Sequence, residues 1–321
     1  MRLLILGGTE FVGRAFVEEA LARGDEVTVL NRGTHPAPEG VTALRGDRRE
    51  PGGLAAAGRG EWDVVVDTWS WEPAAVRDAA SALAGRAERY VYVSSRSVYE
   101  FPTPPGAGED APLVEATGAD AYPQYKIGGE LGATAAFGER ALLVRAGLVI
   151  GPYENVGRLP WWLRRIAAGG PVLAPGPPDL GLQYVDARDL AGWSLEAAAK
   201  GLGGAYNMIS PPGFTTMREL LETCVEVTGS DAELRWVEPE RILAAGVEPW
   251  TDLPIWIPPG EMHGTLHQAG VSKVLEAGLE CRPVAATVAD TWAWLREVGE
   301  PPRRPDRPAV GLDPQVEASL I

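Results

Sequence analysis

Short apolar runs alternate with longer amphipathic stretches along the first two thirds of this chain, and that alternation limits its fold more than any other feature. Strands are expected over 3–6, 26–30, 42–45, 62–67, 89–93, 141–145 and 205–209, with helices over 11–23 and 73–83 and another opening near Tyr122. Gly24 stands just past the first helix, where a left-handed C-terminal residue belongs. Strands joined through helices run parallel, and a parallel sheet needs both faces covered. The expected class is therefore α/β, a doubly wound parallel sheet with helices on either side.

A chain of 321 residues, 45% of them hydrophobic, can bury a full core and a second, smaller lobe. Its formal charge of −15 disfavours nucleic acid and anionic membrane as partners. No apolar run approaches the roughly 18 residues that span a bilayer, so a cytoplasmic protein acting on a small molecule is expected. Cys224 and Cys281 form no Cys-x-x-Cys and read as packing residues. His263 and His267 have metal-ligand spacing only on a helix. Pro258-Pro-Gly260 and Gly264 suggest a loop, and no metal site is expected. Asp186 is placed to cap a helix. After Gly299 the tail is rich in proline and arginine and is expected to lie extended on the surface.

Four stretches carry chemistry. Gly7-Gly-Thr-Glu-Phe-Val-Gly13 follows a strand and opens a helix, the context in which backbone N–H groups hold a pyrophosphate. The second strand ends in Asn31-Arg32-Gly33, without the acid that usually meets an NAD ribose. Arg32 could pair with a 2′-phosphate instead, which favours NADP with NAD as the alternative; its other reading is a solvated surface arginine. Tyr90-Val-Tyr-Val-Ser-Ser95 is a strand ending in hydroxyls. Tyr122 and Lys126 stand four apart, on one face of a helix, where a phenol and an ammonium can share a proton and a substrate. Alone they would be an ordinary exposed pair; with Ser95 and the glycine turn in order they read as catalytic.

As a set, these motifs resemble the extended short-chain dehydrogenases/reductases of the NAD-dependent epimerase/dehydratase kind. The resemblance rests on Leu-Gly-Gly-Thr-Glu-Phe-Val-Gly-Arg14, Gly46-Asp47-Arg48, Val-Ser-Ser-Arg-Ser-Val-Tyr99, Tyr122-x-x-x-Lys126, the run 144–152 and the run 183–190, all in order. It implies a Rossmann domain over 1–152 and 183–210 and a substrate lobe with C-terminal tail over 153–182 and 211–321. Tyr122 would be the general acid/base, Lys126 would hold the nicotinamide ribose and lower the phenol's pKa, and Ser95 would bond the reacting oxygen. Gly7, Thr9, Glu10, Phe11, Val12, Gly13, Asn31, Arg32, Asp47, Arg48, Asp67, Thr68, Trp69, Ala146 and Leu148 would border the cofactor. Trp71, Tyr99, Tyr125, Trp161, Trp162, Tyr184 and Trp250 are the candidates for an apolar or aromatic substrate pocket, although each tryptophan also suits a core. A homodimer packed through helices is a further implication.

The chain departs from the pattern in places. Glu10 replaces the middle glycine of the turn, setting a carboxylate where phosphates pass, and Trp69 replaces a small residue after the fourth strand. Pro123, inside the Tyr–Lys pair, is tolerated in a first helical turn. The expected activity is hydride transfer between NADP(H) and a carbonyl or alcohol. The alternatives are an epimerase or dehydratase that retains NAD, and a cofactor-sensing or RNA-binding protein on the same fold.

Overall fold

The computed structural model describes residues 1–301, 304 and 309–321. Seven strands form one parallel sheet: β1 (Arg2–Leu6), β2 (Glu26–Asn31), β3 (Thr42–Arg45), β4 (Trp62–Asp67), β5 (Ala87–Ser95), β6 (Ala141–Ala146) and, after four short strands, β11 (Gly204–Met208). Their order across the sheet is β11-β6-β5-β4-β1-β2-β3. In β1, Leu3 and Ile5 enter the core on one face while Leu4 and Leu6 enter the core on the other. That is the two-residue period of a strand buried on both sides.

Helices α1 (Phe11–Ala22) and α5 (Ala187–Ala199) cover the first face, and α2 (Pro73–Leu83) and α3 (Tyr122–Phe137) the second. Glycines let α3 settle deeply. A Cβ on Gly129 would stand 2.3 Å from Tyr92 Oη, and one on Gly132 would stand 2.9 Å from the Arg77 Cα. Because β1 pairs with β2 on one side and β4 on the other, the chain reverses direction across the sheet there. A crevice opens at the carboxyl ends of the strands at such a point.

The four short strands are β7 (Val149–Ile150), β8 (Pro171–Pro175), β9 (Gly181–Leu182) and β10 (Val185–Asp186); β12 (Thr215–Thr216) and β13 (Glu233–Val237) follow β11. A second core gathers Trp162, Leu163 and Ile166 of α4 (Arg158–Ala167), Leu220 and Leu221 of α6 (Met217–Thr228) and Trp256. Beyond it come α7 (Pro239–Ala244), α8 (Glu261–His267), α9 (Ser272–Glu276), α10 (Val284–Val298) and α11 (Pro314–Leu320).

Asp186 caps α5 as expected, its carboxylate accepting from the Arg188 amide. Two expectations change. His263 and His267 lie on helix α8, yet both rings are taken: His263 Nε2 is 2.8 Å from Gly181 O, and His267 accepts from the Gln183 amide while its other nitrogen faces Ile255 O. Residues 302, 303 and 305–308 of the expected surface tail lie outside the described residues, but the end of the tail is the helix α11, with Leu320 in the second core and Glu317 paired with Arg165.

Candidate active site

A cleft of about 880 Å³ lies over the carboxyl ends of the central strands. Its floor is the turn between β1 and α1. Gly13 accepts no side chain, because a Cβ there would stand 2.9 Å from the Gly8 amide nitrogen. The first turn of α1 has no side-chain cap and no acid, which leaves its amide donors to a ligand. Glu10 turns sideways: its carboxylate accepts from Asn155 Nδ2 at 3.3 Å and pairs with His35 at 3.2 Å. Asn31 Oδ1 accepts from the Gly33 amide, while its Nδ2 is buried without a partner. A phosphate-bearing dinucleotide fits this donor set, with amides at the helix start and an unmet amide donor where a ribose would lie. Arg32 is exposed at the same edge.

At the other end of the cleft stand Ser95, Tyr122 and Lys126. Ser95 closes β5, where its hydroxyl donates to Ser97 Oγ at 3.1 Å and accepts from the Ser97 amide. Tyr122 and Pro123 open α3, and proline's missing donor costs nothing in a first turn. One turn on, the buried Lys126 ammonium donates to Trp69 O and Val93 O, both at 2.7 Å, and lies 5.9 Å from the centre of the Tyr122 ring. The loop after β4 is thus tied to α3 through the backbone of Trp69, whose ring lies under Arg48 and Arg49.

Thr9, Phe11, Val12, Asp47, Arg48, Thr68, Trp69, Ala146 and Leu148 all line this cleft, as do Trp71 and Trp250 on the substrate side. Arg49 hydrogen bonds hold Asp47 down to about 2. Trp250 is held at φ +68, a left-handed conformation that costs a bulky residue on the order of 1–3 kcal/mol and collects at functional sites. Arg158 lies 4.9 Å over its ring.

Six expected site residues are elsewhere. Asp67 is fully buried, gripped by both Arg48 Nη atoms at 2.6 Å and by Tyr90 Oη at 2.5 Å; its charge needed a partner inside the protein more than a ligand outside. Tyr99 accepts from Arg145 and donates to Asn207 behind β5. Tyr125 meets the edge of Trp71 rather than the cleft. Trp162 is buried in the second core with its Nε1 on Pro254 O, and Tyr184 is buried against Phe214. Trp161 faces a different cavity, beside Arg164 and Leu312.

Several lining residues were not foreseen. Arg96, Glu248, Ile257, Met262 and Leu266 come from a turn and from distant loops that no local pattern marks. Behind the site, Glu130 holds Arg145 and accepts from Ser94 at 2.6 Å, fixing the end of β5. A polar residue at a core-facing position of α3 was the only signal for Glu130.

Comparison with known proteins follows the same outline. The chain is 35% identical over 188 residues to the 2′-dehydrokanamycin reductase of Streptomyces kanamyceticus, covering 54% of this chain and 51% of that protein. It is 25% identical over 252 residues to the chloroplast stem-loop binding protein of 41 kDa b of Arabidopsis thaliana, covering 71% and 63%. It therefore spans about half to under two thirds of these relatives. Its fold matches the UDP-glucose 4-epimerase of Thermus thermophilus in complex with NAD, with a TM-score of 0.64 and 23% identity over 91% of this chain and 99% of that one. The UDP-glucose 4-epimerase of Thermotoga maritima gives a TM-score of 0.67 and 18% identity over 94% and 100%. Residues 3–208 match the model of the NAD dependent epimerase/dehydratase family, and with the glycine turn, sheet and Ser–Tyr–Lys set in place the chain belongs to that family of NAD(P)-dependent enzymes.

Proposed function

We propose that this protein is an NADP-favouring oxidoreductase that interconverts a carbonyl and an alcohol of a small metabolite in this cleft. The observation that carries the reading is that Ser95, Tyr122 and Lys126 line the same cleft as the glycine turn. The start of α1 would hold the pyrophosphate, Arg32 a 2′-phosphate, Lys126 the nicotinamide ribose, and Ala146 and Leu148 the side of the ring. When bound, the dinucleotide supplies or accepts the hydride.

In the reducing direction, Ser95 orients the carbonyl oxygen and Tyr122 delivers its proton there; hydride on carbon and proton on oxygen together make the alcohol. The Lys126 ammonium stabilises the charge left on the phenol oxygen. Two backbone carbonyls fix that ammonium, so its field is in place before substrate arrives. The reductase relative supports the net redox direction.

Tyr122→Phe keeps the ring and removes the proton. With a substrate found by screening carbonyl compounds against NADPH, turnover should fall about 10²- to 10⁴-fold while NADPH affinity holds. Near-full activity in that variant would refute the assignment. Tightly retained NAD in the purified protein, with no net redox activity, would favour the epimerase reading.

A further inference from the structure

Resting on the oxidoreductase reading above, we propose that the substrate is a carbonyl compound with an apolar body and an anionic group, and that Arg96 receives the anion. Arg96 stands between Ser95 and Ser97 and lines the same cleft as Tyr122. Among the described residues its guanidinium meets no carboxylate. Its Nη2 donates to Thr265 O at 2.7 Å and its Nη1 to Leu266 O at 3.1 Å, and its Nε is buried without a partner. A guanidinium has more donors than two carbonyls can use, and neither carbonyl carries a full charge.

Arg48, another arginine of the cleft wall, shows the contrast. Arg48 has the Asp67 carboxylate. Arg96, in a chain of net charge −15, has none. A partly buried cation without a counter-ion is costly, and burial pulls Arg96 down to about 10. An anion bound there would regain the desolvation cost and form charge-assisted hydrogen bonds beside the reacting oxygen. A cationic substrate would add repulsion at the same point.

Apolar side chains are gathered at the same end of the cleft. They are Trp71, Trp250, Ile257, Met262 and Leu266, with Arg304 over the Trp71 ring and Arg158 over the Trp250 ring, and the acid at the rim, Glu248, is exposed. Met262 and Leu266 lie on α8, whose last carbonyls Arg96 holds, so the residue that would bind the anion also positions the apolar wall. Anion and hydrocarbon are thereby recognised by adjacent groups.

The test is a panel of aryl and alkyl keto acids of increasing chain length, each beside its methyl ester and an amine counterpart. Turnover with NADPH is read for all. Binding is read separately, by quenching of tryptophan fluorescence in protein saturated with NADP⁺. The acid members should show kcat/KM, or affinity, at least tenfold above their esters, with the amines weakest. Arg96→Met should abolish that ratio, and Arg96→Lys should restore part of it. Equal handling of acid and ester by the unmodified protein, in turnover and in binding, would overturn the proposal. So would a uniform loss on acid and ester in a folded Arg96→Met, which would leave Arg96 only the task of holding α8. Failure of the oxidoreductase reading is distinguishable, since it would appear as Tyr122-independent activity whatever the acid preference.

Discussion

Arg32 ends the second strand with its side chain exposed at the cleft, and the strand end offers Asn31 where a carboxylate would meet a ribose diol. A 2′-phosphate beside that guanidinium forms charge-assisted hydrogen bonds, worth on the order of 1.5–3 kcal/mol. NADPH should therefore bind more tightly than NADH, and Arg32→Ala should remove most of the difference in a fluorescence titration of both cofactors. Equal affinities in the unmodified protein would sink the idea. At this scale short spacing in the sequence marked Ser95 at a strand end and Tyr122 and Lys126 one helical turn apart, and the structure brings the three to one cleft. The spacing did not mark Arg96. Among the described residues that arginine meets no carboxylate, and only the folded arrangement of α8 against the end of β5 shows the lack. Asp67 misled for the opposite reason: its expected ligand outside the protein is replaced by Arg48, 19 residues before it in the chain.

Among the elements, α3 brings Tyr122 and Lys126 to the cleft, and its depth is set by glycine. Tyr92 Oη donates to Trp69 O, the same carbonyl that accepts from Lys126, so helix, strand and loop meet at one point. Gly129→Ala would put a methyl group 2.3 Å from that hydroxyl. The helix or the ring must move, at a cost of about 1–3 kcal/mol, and Lys126 moves with it. The expected result is a lower thermal midpoint together with weaker cofactor binding in the same variant. A loss of stability with unchanged binding would show that the Lys126 contacts survive the shift. Most strand positions were legible because their apolar runs face core on both sides and are bounded by turn residues, the exposed edge strand β3 excepted. The helical state of 261–267 was not, since Gly264 argues locally against a helix that tertiary packing around His263 and His267 imposes.

For the whole molecule, two buried groups set opposing responses to pH. Glu154 is fully buried where the sheet passes into the second core, and its carboxylate accepts from the Arg158 and Leu159 amides at the start of α4. Burial outweighs those amides and the Arg158 charge and raises it to about 7. A carboxyl raised on folding contributes stability that is full below its unfolded value and is lost as pH climbs to the folded one. Here that window runs from 4.5 to about 7, and the contribution is on the order of 3 kcal/mol. His267 acts in reverse. Burial lowers it from 6.5 to about 4, so its contribution is present above 6.5 and is lost as pH falls towards 4. Across their shared range the two slopes oppose each other, which masks both in the unmodified protein. Glu154→Gln removes one of them. Unfolding free energies from urea titrations between pH 4.5 and 7 should then rise with pH more steeply in the variant than in the unmodified protein, by about 1.4 kcal/mol per pH unit. The comparison cancels every other titrating group. Parallel pH profiles in the two proteins would mean that Glu154 stays ionised in its cap, with the helix amides outweighing its burial.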